Sequence, residues 1–260
     1  MSVSIQNIQA FASQQLERAK GFATAIRFSQ DREARSKMLT NRAWEIRASI
    51  EDDPEFASLS VSDGISAWTS ILSVDLRDST KLADQVSARN MYLMIHTLLP
   101  TLAYVCEKSS GEVMNFRGDG LFAGFGLKKI TDAASEPTRA QKLDANRQAV
   151  VCGLNLIEAV SNGVEVVLSD DGINVDLHAG VGIDCGQVTV TRVGWMSAGE
   201  LTAYGSCVNR ACKLSNSRDQ VIVSSRVTDL YPSSVGGKLQ FSNNGGEGYT
   251  ARCDTSLLIK

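Results

Sequence analysis

Histidine is nearly missing from this chain: 260 residues hold two, His96 and His178, far apart and each inside a helical or strand-like pattern. Both read as packing residues, which argues against Ser-His-Asp and Cys-His hydrolases, and against phosphodiesterases whose metal sites recruit histidine. No cysteine pair has CxxC spacing. The six cysteines, Cys106, Cys152, Cys185, Cys207, Cys212 and Cys253, are scattered through apolar patterns and read as buried thiols rather than disulfides or zinc ligands. No dense block of Lys and Arg occurs and the formal net charge is -3, so a nucleic-acid backbone is excluded as the main partner. No uncharged run reaches the roughly 20 residues of a membrane span. The N-terminal MSVSIQNIQAFASQQLERAK also lacks an apolar signal core. The expectation is a cytoplasmic protein with no membrane partner.

What is present is a hydrophobic content of 43%, enough for a full core in one large domain or one domain with an appendage. From residue 4 to about 49, Ile5, Ile8, Phe11, Leu16, Phe22 and Ile26 recur at helical spacing without proline, predicting one long helix or two shorter ones. EDDPEFASLSVSDG, with an acidic cluster, Pro54 and Gly64, reads as a linker. The division is an N-terminal helical extension over 1–60 and a main domain over 61–260, whose first strand begins near Ser66.

Within the main domain the pattern predicts a strand at about 68–76, a helix at 82–107, strands EVMNF and LFAGFG around RGDG, and a helix at 139–161. VEVVLS and INVDLHAGVGIDCGQVTVTRVG read as strands, AYGSCVNRACKLSN as a helix, and QVIVSS as a strand before a tail of turns and short strands. Strands and helices mix without a strict βαβ repeat. The fold class is therefore α+β with a largely antiparallel sheet.

Three stretches carry chemistry. VDLRDST ends a buried strand on Asp75 and Asp78 around Arg77, which as a local feature is a solvated turn capping the next helix. NFRGDGLFAGFG sets Asp119 between Gly118 and Gly120, which as a local feature is a tight type I′ turn. Two carboxylates at neighbouring strand ends would suit a hard cation, since Mg²⁺ is commonly held by one or two carboxylates with substrate phosphates completing its shell. In YGSCVNRACKLSN, Asn209 and Lys213 lie four apart on one helix face, either as solvated surface or as an amide and a cation facing a substrate.

Together and in order these motifs, spanning about residues 66–225, resemble the class III nucleotidyl cyclase catalytic domain, and AGVGIDCGQVTV resembles the hairpin preceding the helix in many bacterial members. The resemblance implies a ferredoxin-like α+β domain working as a head-to-tail homodimer with its sites at the interface. Asp75, Asp119 and the backbone carbonyl of Leu76 would bind two divalent cations, Mg²⁺ or Mn²⁺. The amides of Arg77, Asp78, Ser79 and Thr80 would seat phosphates, and Asn209 and Lys213 would serve catalysis. Lys213 stands where the family has an arginine and keeps the charge without the bidentate fork; Arg210 is the alternative cation. SNNGGEGYT lacks the lysine that many members carry there, so triphosphate contacts would fall to Arg77 or Arg192.

The two base-selecting positions that the resemblance assigns are Asn115 and Thr202, which match neither the adenine nor the guanine pairing of the family. An amide offers both donor and acceptor to a pyrimidine edge. The chain thus looks most like the pyrimidine cyclases of Pycsar anti-phage defence, implying conversion of UTP or CTP to cUMP or cCMP, read by a separate cyclic-nucleotide-binding effector. The alternatives are a purine cyclase of ordinary signalling and a catalytically inactive nucleotide-binding module.

Overall fold

The computed structural model describes residues 4–28, 48–195, 198–231 and 237–258. Its centre is β1 (Gly64–Leu76), a strand buried along most of its length. Alternation along β1 sends Trp68, Leu72 and Val74 to one face of the sheet and Ala67 and Ile71 to the other, so both faces are covered. β1 pairs with β3 (Gly120–Lys129) on one side and β4 (Ala179–Trp195) on the other, both antiparallel. β2 (Gly111–Arg117) closes the β3 edge. Beyond β4 come β6 (Gln220–Val223), parallel to it, then β8 (Tyr249–Cys253) and β7 (Leu239–Asn243), while β5 (Ala198–Tyr204) forms a hairpin with β4. Only the β4–β6 ladder is parallel among the described strands, as the α+β expectation requires.

Helices α1 (Ile5–Phe28), α3 (Ala88–Lys108) and α4 (Arg139–Glu158) cover the Trp68–Leu72 face. α1 supplies Ile8, Ala12 and Leu16 to that core, at the spacing expected of an amphipathic helix. The expected helical stretch from residue 29 to 47 lies outside the described residues. A single helix at 82–107 is replaced by two, α2 (Ser79–Gln85) and α3, because Ser87 adopts an extended conformation and its side chain caps the Asn90 amide. α4 starts on a capping box in which Thr138 and Gln141 satisfy each other's amides.

VEVVLS, expected as a strand, is helical: α4 runs through a π-helical turn (Ala159–Val164) into α5 (Glu165–Asp170). Val164, Val167 and Leu168 fall on one side of this helix and are buried, while Val166 is left exposed. Tertiary packing overrides strand propensity here. By length and composition the stretch Arg139–Asp170 is apolar enough to cross a membrane, against the expectation from uncharged runs, yet 56% of its most apolar window is buried inside the fold.

The opposite face of the sheet is covered by α6 (Ser206–Leu214) and by the chain before β1. Ile50, at 0% exposure, and Phe56, at 1%, pack there with Ile71, Met114, Phe122, Leu201 and Ala203. The short helix α7 (Ser225–Thr228) follows β6.

Candidate active site

Asp75 is the penultimate residue of β1, and Asp119 occupies the two-residue turn between β2 and β3, whose closing pair is Arg117 and Gly120. Gly118 has φ +59° and Asp119 does not have positive φ, so the turn follows the II′ pattern rather than the expected I′ pattern. Gly120 fixes the turn against β1, since a Cβ there would lie 2.2 Å from the Val74 carbonyl oxygen. The two carboxylates are thereby brought together at one end of the sheet. Burial first, and the Asp119 carboxylate second, push the Asp75 carboxyl above its ordinary range, with Arg77 pulling the other way. Asp119 Oδ2 is buried without a hydrogen-bond partner.

A buried, unpaired carboxylate oxygen beside a second carboxylate is the electrostatic arrangement that a divalent cation relieves, so the residues present fit such an ion. Among the described residues no cluster of three or more His, Cys, Asp or Glu side chains is arranged for a metal. The remaining ligands would come from backbone, Leu76 being adjacent to Asp75, and from substrate oxygens.

The residues after Asp75 turn sharply. Arg77 donates from Nη1 to Asp75 Oδ2 at 3.0 Å and to the Ser215 carbonyl at 3.2 Å. Its amide is bonded to the His178 carbonyl at 2.7 Å, so the phosphate seat expected over Arg77–Thr80 contracts to Asp78, Ser79 and Thr80. Asp78 takes a left-handed conformation, φ 58°, at the start of α2, and its carboxylate accepts from Lys81 at 2.8 Å and Arg218 at 3.2 Å. The first amides of a helix have no intrahelical partner.

α6 sits tightly on β4: a Cβ at Gly182 would lie 2.0 Å from the Ala211 carbonyl oxygen. Cys207, Val208, Ala211 and Leu214 face inward, while Asn209, Arg210 and Lys213 are exposed. Asn209 and Lys213 share the outer face as expected. Arg210 leans instead towards Asp184, Nε to Oδ2 3.7 Å. Asp184 is fully buried in β4 and is also bound by Arg226, Ser224 and the Cys185 amide. Sequence reasoning passed over Asp184; the available signal was a carboxylate inside the apolar run AGVGIDCG, which burial obliges to find a cation.

Asn115 in β2 pairs with Phe122 and is half-buried; Thr202 in β5 pairs with Thr191 and is 7% exposed. Their two strands approach each other over the Ile50 face. Arg192 is not brought to the carboxylates. It pairs with Leu201 beyond the start of β1, the end remote from Asp75, and its guanidinium is committed to Glu51 and to the carbonyls of Leu59, Ala57 and Gly199. Among the described residues no hydrogen bond or ion pair joins Asn209 or Lys213 to Asp75 or Asp119.

A model of the adenylate and guanylate cyclase catalytic domain matches residues 66–246. A cytidylate cyclase of Escherichia coli is 26% identical over 176 residues, a match covering 66% of this chain and 37% of that protein, so the chain spans well under half the length of this relative. Among solved structures, the adenylyl cyclase CyaB from P. aeruginosa superposes with a TM-score of 0.56 at 17% identity, covering 73% of this chain and 94% of that one. A class III adenylyl cyclase-like ATP-binding protein from Pseudomonas aeruginosa gives a TM-score of 0.56 at 19% identity, covering 77% of this chain and 43% of that one.

Proposed function

Because the chain belongs to the adenylate and guanylate cyclase catalytic domain family, we propose that it cyclises a pyrimidine nucleoside triphosphate, UTP or CTP, to the 3′,5′-cyclic monophosphate with release of pyrophosphate. The observation that carries the reading is the pair Asp75 and Asp119, joined at one sheet end with an orphaned carboxylate oxygen. The pyrimidine preference is supported by Asn115 and Thr202 at the base-selecting positions and by the likeness to a cytidylate cyclase.

In this reading Asp75, Asp119 and the Leu76 carbonyl hold two divalent cations, Mg²⁺ or Mn²⁺. When bound they supply a lowered pKa for the ribose 3′-hydroxyl and positive charge for the triphosphate. The 3′-hydroxyl releases its proton to solvent, the 3′-oxygen bonds to the α-phosphorus, and the bond from that phosphorus to the bridging oxygen of the departing pyrophosphate breaks. The amides of Asp78, Ser79 and Thr80 orient the phosphates. Asn115 and Thr202 offer an amide and a hydroxyl to the base edge, so either pyrimidine finds both a donor and an acceptor. Asn209 orients the ribose, and Lys213 places its ammonium on the charge that develops at the α-phosphoryl group. Since Asn209 and Lys213 are exposed and, among the described residues, make no bond to the carboxylates of their own chain, a second copy completes the site in this reading, and the working unit is a homodimer with its sites at the interface. The setting is the cytoplasm, where the cyclic nucleotide acts as a second messenger on an effector in anti-phage defence.

A second reading, a nucleotide-binding module without turnover, is favoured by one observation: Lys213 lacks an arginine's fork and Arg210 is turned to Asp184. One experiment separates them. Purified protein is incubated with ATP, GTP, CTP and UTP separately in Mn²⁺, alongside an Asp75→Ala, Asp119→Ala variant, and products are resolved by chromatography. A cyclic pyrimidine nucleotide absent from the variant is expected. A cyclic purine product would discard the pyrimidine and defence reading, and tight binding without pyrophosphate release would establish the binding module.

A further inference from the structure

Two strands that carry the base-selecting residues are both edges. β2 ends the sheet, and β5 pairs with β4 alone. Each therefore turns every second amide outward with no ladder partner. Three consecutive residues bridge these edges. Ser49 Oγ accepts from the Val113 amide at 2.7 Å, and Glu51 Oε1 accepts from the Leu201 amide at 2.8 Å. Ile50 between them is fully buried, packed in the cluster that holds Met114, Leu201 and Ala203.

The bridge is anchored at its β5 end. Glu51 Oε2 takes Arg192 Nη2 at 2.9 Å, and Arg192 Nη1 reaches the Gly199 carbonyl at 2.9 Å, so the β4–β5 hairpin is tied to the same carboxylate. Both partners of this ion pair are largely buried, at 17% and 14% side-chain exposure, where geometry is held more firmly than at the surface. The contact points fall beside the base-selecting residues. Val113 is two residues from Asn115, across the irregularity in the β2–β3 register, and Leu201 is next to Thr202.

We propose that Ser49, Ile50 and Glu51 form a clasp that sets the separation of Asn115 and Thr202 and so selects the nucleotide base. These are positioning residues: none is placed against substrate, and all lie before residue 66, outside the matched family domain. The clasp rests on the reading of Asn115 and Thr202 as base-selecting residues. A pocket wall held at a fixed separation can match the smaller pyrimidine ring between its two polar groups. Slackening the wall admits the larger purine and weakens the pyrimidine contacts.

The test compares wild type with Ser49→Ala, a mild change, and Ile50→Ala, which leaves a void between the strands. For each, kcat/KM and equilibrium binding are measured for the four nucleoside triphosphates, with dimerisation and Tm as folding controls. The expected result is a fall of at least about fivefold in the ratio of pyrimidine to purine kcat/KM, matched in the binding ratio, within the range that small changes of pocket fit command. A common loss for all four nucleotides, or an unmoved ratio in folded variants, would overturn the clasp. Asn115→Lys with Thr202→Asp serves as the control. If it shifts the ratio while the clasp variants do not, the clasp alone fails; if it too leaves the ratio fixed, the assignment of the base-selecting pair has failed and the clasp falls with it.

Discussion

Arg77 Nη1 lies 3.0 Å from Asp75 Oδ2 and 3.2 Å from the Ser215 carbonyl, so one cation joins the end of β1 to the chain leaving α6. It is the internal countercharge of the carboxylate pair. Replacing it with alanine leaves two neighbouring carboxylates with no protein cation between them. Arg77→Ala should lower metal-free stability by about 1 kcal/mol, the upper range for a partly exposed pair. The same variant should gain more in Tm on addition of Mn²⁺ than wild type does, because the ion no longer competes with the guanidinium. Thermal denaturation with and without Mn²⁺ checks both; an equal metal shift in the two proteins would show that Arg77 and the cation do not share Asp75.

Asp119→Asn separates stability from function. Asp75 has a raised folded pKa, so between its ordinary value of 3.8 and that raised value the folded state binds more protons than the unfolded chain. Stability is therefore lost as pH rises through this window. Removing the Asp119 charge removes one of the two causes, so the metal-free variant should be at least as stable as wild type at neutral pH and should depend less on pH in the acid range. Its metal-dependent turnover should fall by at least about 100-fold, as when a main source of charge stabilisation is deleted. A variant both less stable and fully active would place the catalytic charge elsewhere.

Much of this site could be read from the chain because its residues are local punctuation. Asp75 ends an apolar run, and Asp119 sits between two glycines, of which Gly120 has no room for a Cβ against Val74. Asn209 and Lys213 share a face by helical spacing alone. What escaped depends on contacts across long separations. Arg192 looked like a free cation for phosphate because Glu51, 141 residues earlier, gives no local sign of pairing with it. Asp184 and Arg226 are likewise joined only by the fold. VEVVLS failed for the opposite reason: its local signal was strand-like, but packing decided in favour of a helix.

Lys213 and Arg210 make different predictions although they are three residues apart on α6. Lys213 is exposed and has no hydrogen-bond or ion-pair partner among the described residues, whereas Arg210 points to buried Asp184. Lys213→Ala should leave Tm nearly unchanged and reduce kcat by about 100-fold. Lys213→Arg should retain or raise kcat, since it restores a two-pronged donor. Arg210→Ala should change kcat by less than about threefold, its contact with Asp184 being long and Arg226 remaining on that carboxylate. Steady-state kinetics on the three variants would assign the cation, and a larger loss in Arg210→Ala than in Lys213→Ala would reverse the assignment.

Glu112 provides a stability prediction away from the carboxylate pair. It lies in β2 next to Val113, its Oε2 is buried without a partner, and burial together with Asp53 and Glu55 raises its pKa from 4.5 to about 7. The folded protein therefore holds a proton on Glu112 that the unfolded chain releases above pH 4.5. Stability from this group is present in acid and is lost as pH rises towards about 7, where the buried carboxyl must ionise beside two other carboxylates. Glu112→Gln stays neutral throughout and keeps nearly the same shape. Its Tm should match wild type near pH 5 and exceed it near pH 8 by a few degrees, corresponding to about 1 kcal/mol after allowance for the solvent that reaches the group. A difference in Tm that stays constant from acid to mild base would mean that Glu112 binds its proton no more tightly in the fold than in the unfolded chain, and would overturn this prediction.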